Sequence, residues 1–400
     1  MNFEFATASR IRFGPGTLAE AGTIAAGIGR RAFVIGGRDL GRLGPLTARL
    51  EAAGLVCATA STSPEPDFDS LRALAEAARA FGPDLVIGMG GGSAMDAAKA
   101  VAALVTNGGD PLDYAETVGK GLPLAKPSLP CIAIPTTSGT GSEVTRNAVF
   151  TAHVAGEPSL KFSLRSPTML PVVALVDPEL TQGLPWKLTL GPGLDAIAQL
   201  VEPLVSARAN PLVDAFCREG LSRALPALLR MAAGKDAASV ADEIGARQEL
   251  SFASLLGGLA LANAGLGAVH GIAGPLGGAS GAAHGALCGA LLGAVVSANV
   301  AALRSRAPGS PALARYAEVA AIFARALGEP ELPPAAAAAT AGQLVTRYTK
   351  QLHAPSLRDL GIEASTFAML APRALAANSM KGNPLALTES EIRTILEAAY

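Results

Sequence analysis

The pattern of apolar residues changes at about Leu184, and this change constrains the fold more than any other feature of the chain. Before it, short apolar runs that end at glycines alternate with helix-periodic segments. After it, long Ala- and Leu-rich helical windows follow one another, separated by Pro-containing loops such as 306–311. We therefore predict an α/β domain over residues 1–185 and an all-helical domain over residues 186–400.

The first half contains the elements of a parallel sheet. Strands are predicted at RAFVIGG, LVCATAS, DLVIGMG, PCIAIP and VVALVDP. Helices are predicted at LGPLTARLEAAGL, DSLRALAEAARAFG and GGGSAMDAAKAVAALVTN. Because strands that alternate with helices form parallel sheets covered on both faces, this half of the chain is predicted to be such a domain.

Composition argues against several classes of partner. The chain has 32 Lys and Arg against 33 Asp and Glu and no basic run, so we expect a small-molecule partner and no nucleic acid. The amino terminus lacks the basic and apolar regions of a secretion signal, which predicts a cytoplasmic protein. The four cysteines are far apart, so neither a disulfide framework nor a thiolate metal site is indicated, and we expect buried apolar residues.

A stretch without charged residues runs from Ser251 to Leu303 and is long enough for two membrane-spanning helices. It is crowded with Gly and Ala, however, and it contains Asn263, Pro275 and two histidines without clustered Lys or Arg as topology anchors. We therefore predict closely packed helices inside the helical domain and no membrane association.

Two glycine-rich loops follow neighbouring predicted strands. Gly91, Gly92 and Ser93 precede a helix and leave backbone N–H groups open to an anion, which favours phosphate; a tight connection capped by Ser93 is the alternative. The second loop, TTSGTGSEVT, covers residues 136–145. Since loops at the carboxyl ends of neighbouring parallel strands line the crevice where nucleotides bind, the two loops together predict a nucleotide site.

The strand RAFVIGG runs into Arg38 and Asp39 and lacks the GxGxxG fingerprint. Asp39 would accept hydrogen bonds from an adenosine ribose, whereas Arg38 beside Gly37 would accommodate a 2′-phosphate. NAD and NADP therefore both remain open, and a solvated loop charge is the alternative for Arg38.

Asp195 opens the apolar run LDAIAQLVEP, and Gln199 lies one helical turn later on the same side. Asp195 is either a helix cap or a residue that holds a ligand. His270 and His284 lie in the charge-free stretch, where a straight helix would separate them by roughly 20 Å. We predict that Pro275 and repeated glycines break this helix, so that both imidazoles and Asp195 form a divalent-metal site. Hydrogen-bonded core histidines are the alternative.

Six motifs, in this order and at this separation, resemble those of the iron-containing (group III) alcohol dehydrogenases: GGGSAMDAAKA, PTTSGTGSEVT, VDPEL, GLDAIAQLVE, NAGLGAVHGIAGPLGG and AAHG. The resemblance covers nearly the whole chain, and the wider group includes glycerol dehydrogenase and dehydroquinate synthase. It implies a dehydroquinate synthase-like fold, with a dinucleotide-binding α/β domain, an all-α carboxyl-terminal domain and a cleft between them. It also implies hydride transfer between NAD or NADP and a small alcohol or aldehyde whose oxygen sits on divalent iron or zinc.

The resemblance assigns roles to particular residues. Asp195, His270 and His284 match three of the four metal-ligand positions and are the predicted catalytic residues. The resemblance also implies cofactor binding by two loops and a lysine that reaches the cofactor, namely Gly91, Gly92, Ser93, Thr136, Thr137, Thr140 and Lys161. Independently of the resemblance, we also predict that Gly37, Asp39 and Asp96 bind the cofactor.

The chain departs from the family pattern at two positions. Gln199 stands at the fourth ligand position, where the family has His, and Gly274 stands where a further His is usual. A Gln oxygen is neutral and harder than imidazole, so affinity for iron or zinc should fall and an oxygen-loving ion becomes less disfavoured. We retain Gln199 as the fourth predicted ligand.

Three alternatives to a metal-assisted alcohol dehydrogenase follow. A metal-free enzyme like the maleylacetate reductases is one, although TTSGTGSEVTRNAV looks more like the alcohol dehydrogenase branch. A lyase of the dehydroquinate synthase type would need a cluster of Lys and Arg near the histidines, and a non-catalytic nucleotide-binding protein would lack the ion. The large apolar fraction, 50% of residues, makes a homo-oligomer such as a dimer plausible.

Overall fold

The computed structural model describes residues 2–116, 119–152, 160–234, 240–330 and 332–400. Its contacts define two compact units. One comprises Ala6–Gln182, and the other comprises residues from Gly183 to Tyr400 together with the amino-terminal residues up to Phe5. The first unit contains a parallel sheet and the second contains helices, so the predicted fold class is confirmed.

The strands of the first unit form a six-stranded parallel sheet and a separate antiparallel pair. In chain order they are β1 (Arg10–Phe13), β2 (Arg31–Gly36), β3 (Val56–Ser61), β4 (Leu85–Gly90), β5 (Cys131–Pro135), β6 (Asn147–Ala152), β7 (Leu160–Arg165) and β8 (Val173–Val176). The order across the large sheet is β1-β8-β5-β4-β2-β3, and every neighbouring pair is parallel. Strand order reverses between β2 and β4, which is where open parallel sheets bind nucleotides.

The five predicted strands are all present in the large sheet, but β1 and the antiparallel pair β6 and β7 were missed. β1 is a four-residue edge strand whose sequence, RIRF, gives little periodic signal. In the antiparallel pair, Thr151 lies opposite Lys161.

Helices cover both faces of the sheet. In the first unit they are α1 (Ala21–Ala26), α2 (Gly44–Ala52), α3 (Phe68–Phe81), α4 (Gly92–Asn107) and the short α5 (Pro111–Tyr114). Side chains alternate between two cores along each central strand: Phe33 and Ile35 of β2 pack beneath α3 and α4, whereas Val34 packs with α1 and α2. A strand that is buried on both faces needs a continuous apolar run, and such a run allowed RAFVIGG to be predicted as a strand from the sequence.

The second unit consists of packed helices. They are α6 (Trp186–Val205), α7 (Pro211–Gly234), α8 (Val240–Ala264), α9 (Ala268–Ser280), α10 (His284–Arg306), α11 (Pro311–Leu327), α12 (Pro334–Gln351), α13 (Phe367–Ala376) and α14 (Glu389–Ala398). α6 is buried on all sides from Gly193 onward. Neighbouring helices approach it closely at glycines: a Cβ on Gly289 of α10 would lie 2.5 Å from Leu194, and one on Gly220 of α7 would lie 2.6 Å from Leu200.

Within the described residues, α10 is the one helix that is long and apolar enough to cross a membrane, and 67% of its apolar window is buried inside the protein. α8 and α9 would add a second span only if their 101° bend were ignored. The core helix of a soluble protein passes the same test when it is mostly buried. This burial agrees with the predicted close packing of the charge-free stretch.

Candidate metal centre and dinucleotide loops

Asp195 lies in the middle of α6 and is only 3% exposed. Because this helix begins at Trp186, Asp195 is not at a helix start, and its alternative interpretation as a cap is wrong. A carboxylate in the interior of an apolar helix needs a polar partner from a neighbouring element. That partner comes from α9.

The chain reverses direction between the two histidines, within the glycine-rich segment 271–283 where a break was predicted. α9 continues through Pro275 and ends at Ser280. The next residue, Gly281, has a φ of 72°, and α10 begins three residues later at His284. The predicted break is therefore present, but Pro275 does not cause it: the left-handed conformation of Gly281, one of the repeated glycines, ends the helix. The reversal brings the imidazole rings of His270 and His284 to a centroid separation of 5.3 Å.

The three predicted catalytic residues lie together. Nε2 of His270 is 3.1 Å from Oδ1 of Asp195, and Nε2 of His284 is 3.9 Å from the same oxygen. His270 is buried, whereas the side chain of His284 is 34% exposed to solvent. One buried carboxylate and two imidazole nitrogens at this spacing fit a divalent transition metal.

Glu202, which the sequence analysis missed, fixes the other side of His270. Its Oε2 lies 2.5 Å from Nδ1 of His270, and its Oε1 accepts a hydrogen bond of 2.6 Å from the backbone N–H of Val269. Glu202 is 4% exposed and lies two helical turns after Asp195, on the same face of α6. A second carboxylate at that spacing in an apolar helix was the available sequence signal.

Cys288, which the sequence analysis also passed over as a metal-site residue, belongs to the same cluster. Its Sγ lies 3.7 Å from Nε2 of His284, one turn earlier on α10. Ligand atoms of Asp195, His270, His284 and Cys288 all lie within 4.8 Å of one another. The expectation that the cysteines are only buried apolar residues therefore does not describe Cys288; it also fails for Cys57, which is half-buried.

Burial and charge compete in this cluster. Burial lowers the pKa of His270, but the sulfur of Cys288 and the carboxylates of Glu202 and Asp195 outweigh it, so the pKa stands well above its usual value. Burial raises the pKa of Asp195, but the hydrogen bond from His270 and the charges of both histidines hold it below its usual value. Burial raises the pKa of the Cys288 thiol to about 12.

Gln199 and Gly274, the two departures from the family pattern, lie one turn after Asp195 and His270 respectively. Gln199 is 3% exposed, and its Oε1 has no hydrogen-bond partner among the residues that the structure describes. Its side chain packs against Gly257 of α8, where a Cβ would lie 3.6 Å from that oxygen. A Cβ on Gly274 would meet open space.

The first glycine-rich loop joins β4 to α4. Gly91 is the N-cap residue without a side-chain cap, so the interpretation of Ser93 as the cap is wrong. The Ser93 hydroxyl instead donates a hydrogen bond to the backbone carbonyl of Pro64, after β3. The first backbone N–H groups of α4 have no partner within the helix and point out of its amino terminus, as a phosphate site requires.

The second loop packs directly against the first. The backbone N–H of Thr136 donates to the Gly90 carbonyl at 2.8 Å. A Cβ on Gly91 would lie 3.6 Å from the Thr137 hydroxyl, and one on Gly92 would lie 2.9 Å from the Thr140 methyl group. The structure therefore brings Gly91, Gly92, Thr136, Thr137 and Thr140 together at the carboxyl ends of β4 and β5.

The remaining predicted cofactor residues have different surroundings. The backbone nitrogen of Gly37 would lie 3.7 Å from a Cβ on Gly90, so Gly37 borders the first loop. Asp39 is exposed, and its Oδ1 accepts a hydrogen bond from Gly41. The Lys161 ammonium lies 3.0 Å from Glu65, the residue after the Pro64 that Ser93 contacts.

Asp96 is the member of this set whose contacts lie inside the protein. Its Oδ1 accepts a hydrogen bond of 2.5 Å from Ser142 and is 3.0 Å from the buried ammonium of Lys99. Its Oδ2 accepts a hydrogen bond of 2.8 Å from the backbone N–H of Val149. Both carboxylate oxygens thus join α4 to the second loop and to β6.

Comparison with known proteins bears on the identity of the whole chain. The family model described as iron-containing alcohol dehydrogenase matches residues 8–178, and the model for the carboxyl-terminal part of the same family matches residues 189–400. Alcohol dehydrogenase 4 of Saccharomyces cerevisiae is 32% identical over 363 residues, which cover 90% of this chain and 88% of that protein.

Solved structures agree. A crystal structure of 1,3-propanediol oxidoreductase is 30% identical, with a TM-score of 0.88 and full coverage of both chains. Sulfoacetaldehyde reductase from Bifidobacterium kashiwanohense, solved in complex with NAD+, is 27% identical, with a TM-score of 0.82, and covers 99% of this chain and 98% of its own. The resemblance and the alcohol or aldehyde oxidoreductase function predicted from the sequence are confirmed: the chain belongs to the iron-containing alcohol dehydrogenase family of oxidoreductases.

Proposed function

We propose that this protein transfers hydride between NAD or NADP and a small alcohol or aldehyde, with Asp195, His270 and His284 holding divalent iron or zinc. The observation that carries the proposal is the approach of both Nε2 atoms to one buried oxygen of Asp195. Asp195 lies on α6 and the two histidines lie on the successive helices α9 and α10, so side chains from three helices converge there.

When bound, the metal supplies Lewis acidity toward the substrate oxygen, and the nicotinamide supplies or accepts the hydride. The chain itself places these groups. Asp195 contributes the negative charge that favours a cation, and Glu202 holds His270 so that Nε2, rather than Nδ1, faces Asp195. The open side of the cluster is at His284, whose partial exposure leaves room for a small substrate.

The α/β unit is proposed to hold the dinucleotide. Gly91 and Gly92 present unobstructed backbone N–H groups at the amino terminus of α4, where they would bind pyrophosphate. Thr137 and Thr140 flank them with hydroxyl groups. Asp39 would accept hydrogen bonds from an adenosine ribose, and Lys161, which Glu65 positions, completes the set. Asp96 would act indirectly, by joining the two loops.

The direct test is turnover by the purified protein. It should oxidise alcohols or diols, or reduce the matching aldehydes, with a change at the nicotinamide absorbance band. A panel of short-chain substrates should be run with NAD and NADP in parallel, because both remain candidates. Elemental analysis of the same preparation should find iron or zinc bound. Absence of turnover with either dinucleotide across the panel would contradict the proposal.

The same two measurements separate the alternatives. Turnover by a metal-free preparation that added zinc or iron does not stimulate would indicate an enzyme like the maleylacetate reductases. Nucleotide binding with neither ion nor turnover would indicate a non-catalytic protein. A lyase is less favoured, because among the described side chains Asp195, Glu202 and Cys288, rather than Lys or Arg, contact the imidazoles of His270 and His284.

We further propose that residues 1–185 form the dinucleotide-binding domain and residues 186–400 the metal and substrate domain, and that the protein is a cytoplasmic homo-oligomer, such as a dimer. Light scattering coupled to size-exclusion chromatography checks the last point. A monomeric mass at micromolar concentration would contradict it.

A further inference from the structure

Cys288 lies where it could serve as the fourth metal ligand in place of Gln199, whose neutral amide oxygen is a weak ligand for iron or zinc. Its Sγ is buried, lies 3.7 Å from Nε2 of His284 and belongs to the group of ligand atoms that lie within 4.8 Å of one another. Spacing along α10 explains this arrangement, since residues four apart share one face of a helix and His284 and Cys288 therefore present their donor atoms to the same side.

The distances suit a tetrahedral site. Nitrogen and sulfur ligands bound at about 2.0–2.3 Å around a tetrahedral ion lie about 3.3–3.8 Å from one another. The pairs measured here are 3.1 Å from His270 to Asp195, 3.9 Å from His284 to Asp195 and 3.7 Å from Cys288 to His284. The other pairs of these four ligand atoms lie within 4.8 Å, so adjustments of up to about 1 Å would bring the atoms around one centre.

Gln199 is the weaker candidate on two grounds. Its amide oxygen is neutral, whereas a cysteine binds as a thiolate. The Gln199 side chain is also packed against α8: if Gly257 of that helix carried a Cβ, this atom would lie 3.6 Å from Oε1 of Gln199. Sulfur is in addition a soft donor, which zinc and ferrous iron prefer and which magnesium, calcium and manganese do not.

We propose, on the basis of the proposed function, that Cys288 is the fourth protein ligand, so that this chain binds zinc or ferrous iron through Asp195, His270, His284 and the Cys288 sulfur. Metal binding breaks the Sγ–H bond, releases the proton to solvent and forms a bond from the sulfur lone pair to the metal, with no change in oxidation state. The donor set therefore disfavours oxygen-loving ions, contrary to the expectation from Gln199 alone.

Cobalt substitution tests the proposal without relying on activity. The apoprotein is loaded with Co²⁺, and its spectrum is compared with those of Cys288→Ser and Cys217→Ala; Cys217 is a buried cysteine of α7, outside the cluster. We expect a near-ultraviolet thiolate-to-cobalt charge-transfer band in the wild type and in Cys217→Ala, and no such band in Cys288→Ser. Zinc affinity of Cys288→Ser should fall by at least about a hundredfold, the upper range for loss of an outer-shell partner.

Three other results would overturn it. If the wild type binds Co²⁺ without the band, Cys288 is not a ligand, although the proposed metal site at Asp195 and the histidines stands. If Cys288→Ser keeps the band, or keeps the zinc affinity of the wild type, the sulfur likewise has no role. If the wild type binds neither Co²⁺ nor Zn²⁺, this inference and the metal-assisted function fail together. Circular dichroism of each variant verifies that it is folded.

Discussion

Glu202 and His270 form a buried pair in which the carboxylate Oε2 lies 2.5 Å from the imidazole Nδ1. The same carboxylate also receives the backbone N–H of Val269, at the amino terminus of α9. Two contacts from one buried side chain fix both the position and the rotation of the imidazole, and a carboxylate on the remote nitrogen raises the basicity of a metal-binding histidine. Glu202 is therefore a positioning residue for the proposed metal site.

Removing this carboxylate should weaken metal binding more than it weakens the fold. We expect Glu202→Gln to lower zinc affinity by about ten- to hundredfold, because its amide accepts only one of the two hydrogen bonds, and Glu202→Ala to lower it further. Competition titration with a chromophoric chelator measures the affinity. Glu397→Gln, an exposed change on α14 of the same unit, is the control. Equal zinc affinity in the wild type and Glu202→Ala would exclude the positioning role.

Asp195→Ala tests the centre of the site. The carboxylate that both Nε2 atoms approach is then lost, so we expect no retained metal and no turnover, while affinity for the dinucleotide stays near that of the wild type. Elemental analysis and a fluorescence titration with NADH and NADPH give the two readouts. Asp195→Asn, which keeps the shape of the side chain, guards against a folding defect. Normal turnover by either variant would mean that Asp195 holds no metal.

Local sequence signals were sufficient for the architecture of the α/β unit. Strands that are buried on both faces require continuous apolar runs, so RAFVIGG was recognisable as a strand without tertiary information. Glycines follow a strand where a helix begins directly after it, so GMGGGS was recognisable as a strand-to-helix turn. A four-residue edge strand such as β1 has too few residues for a periodic signal.

The candidate metal site was only partly predictable. Asp195 and the histidines stood out because charged and ionisable side chains are rare in apolar helices. Glu202 offered a sequence signal, as a second carboxylate two turns after Asp195, but its contact with His270 of α9 became recognisable only from packing. The same holds for Cys288, whose place beside the other residues of the cluster depends on the turn at Gly281. The contacts of Asp96 show the same limit, because no local pattern distinguishes a carboxylate that binds a cofactor from one that joins two loops.

Gly91 offers a specific probe of the dinucleotide loop. A Cβ there would make only ordinary contact, 3.6 Å from the Thr137 hydroxyl, so Gly91→Ala should fold normally. The added methyl group would nevertheless enter the space where phosphate must approach the backbone, and we expect affinity for NAD and NADP to fall about tenfold, or about 1.4 kcal/mol. Gly44→Ala, at the exposed start of α2 where a Cβ meets open space, is the control. Unchanged dinucleotide affinity in Gly91→Ala would place the pyrophosphate elsewhere.

Glu143, in the second loop, should make the stability of the α/β unit depend on pH. Burial raises its pKa from the ordinary value of 4.5 to about 7, against the opposing charge of Lys99, and its Oε2 has no hydrogen-bond partner among the described residues. Between pH 4.5 and 7 the folded protein therefore holds a proton that the unfolded chain releases. Because the folded state binds more protons, its stability falls as the pH rises through this window.

Glu143→Gln removes that titration while keeping the size of the side chain. The loss of wild-type stability from this one group should total roughly 2–3 kcal/mol between pH 5 and pH 8, so the variant should gain that much relative to the wild type over the same interval. Urea unfolding of both proteins at the two pH values, followed by circular dichroism, gives the difference, in which all other titrating groups cancel. Glu179→Gln, an exposed change in the same unit, should show no relative gain. A pH dependence identical in the wild type and Glu143→Gln would mean that Glu143 ionises as freely in the folded protein as in the unfolded chain.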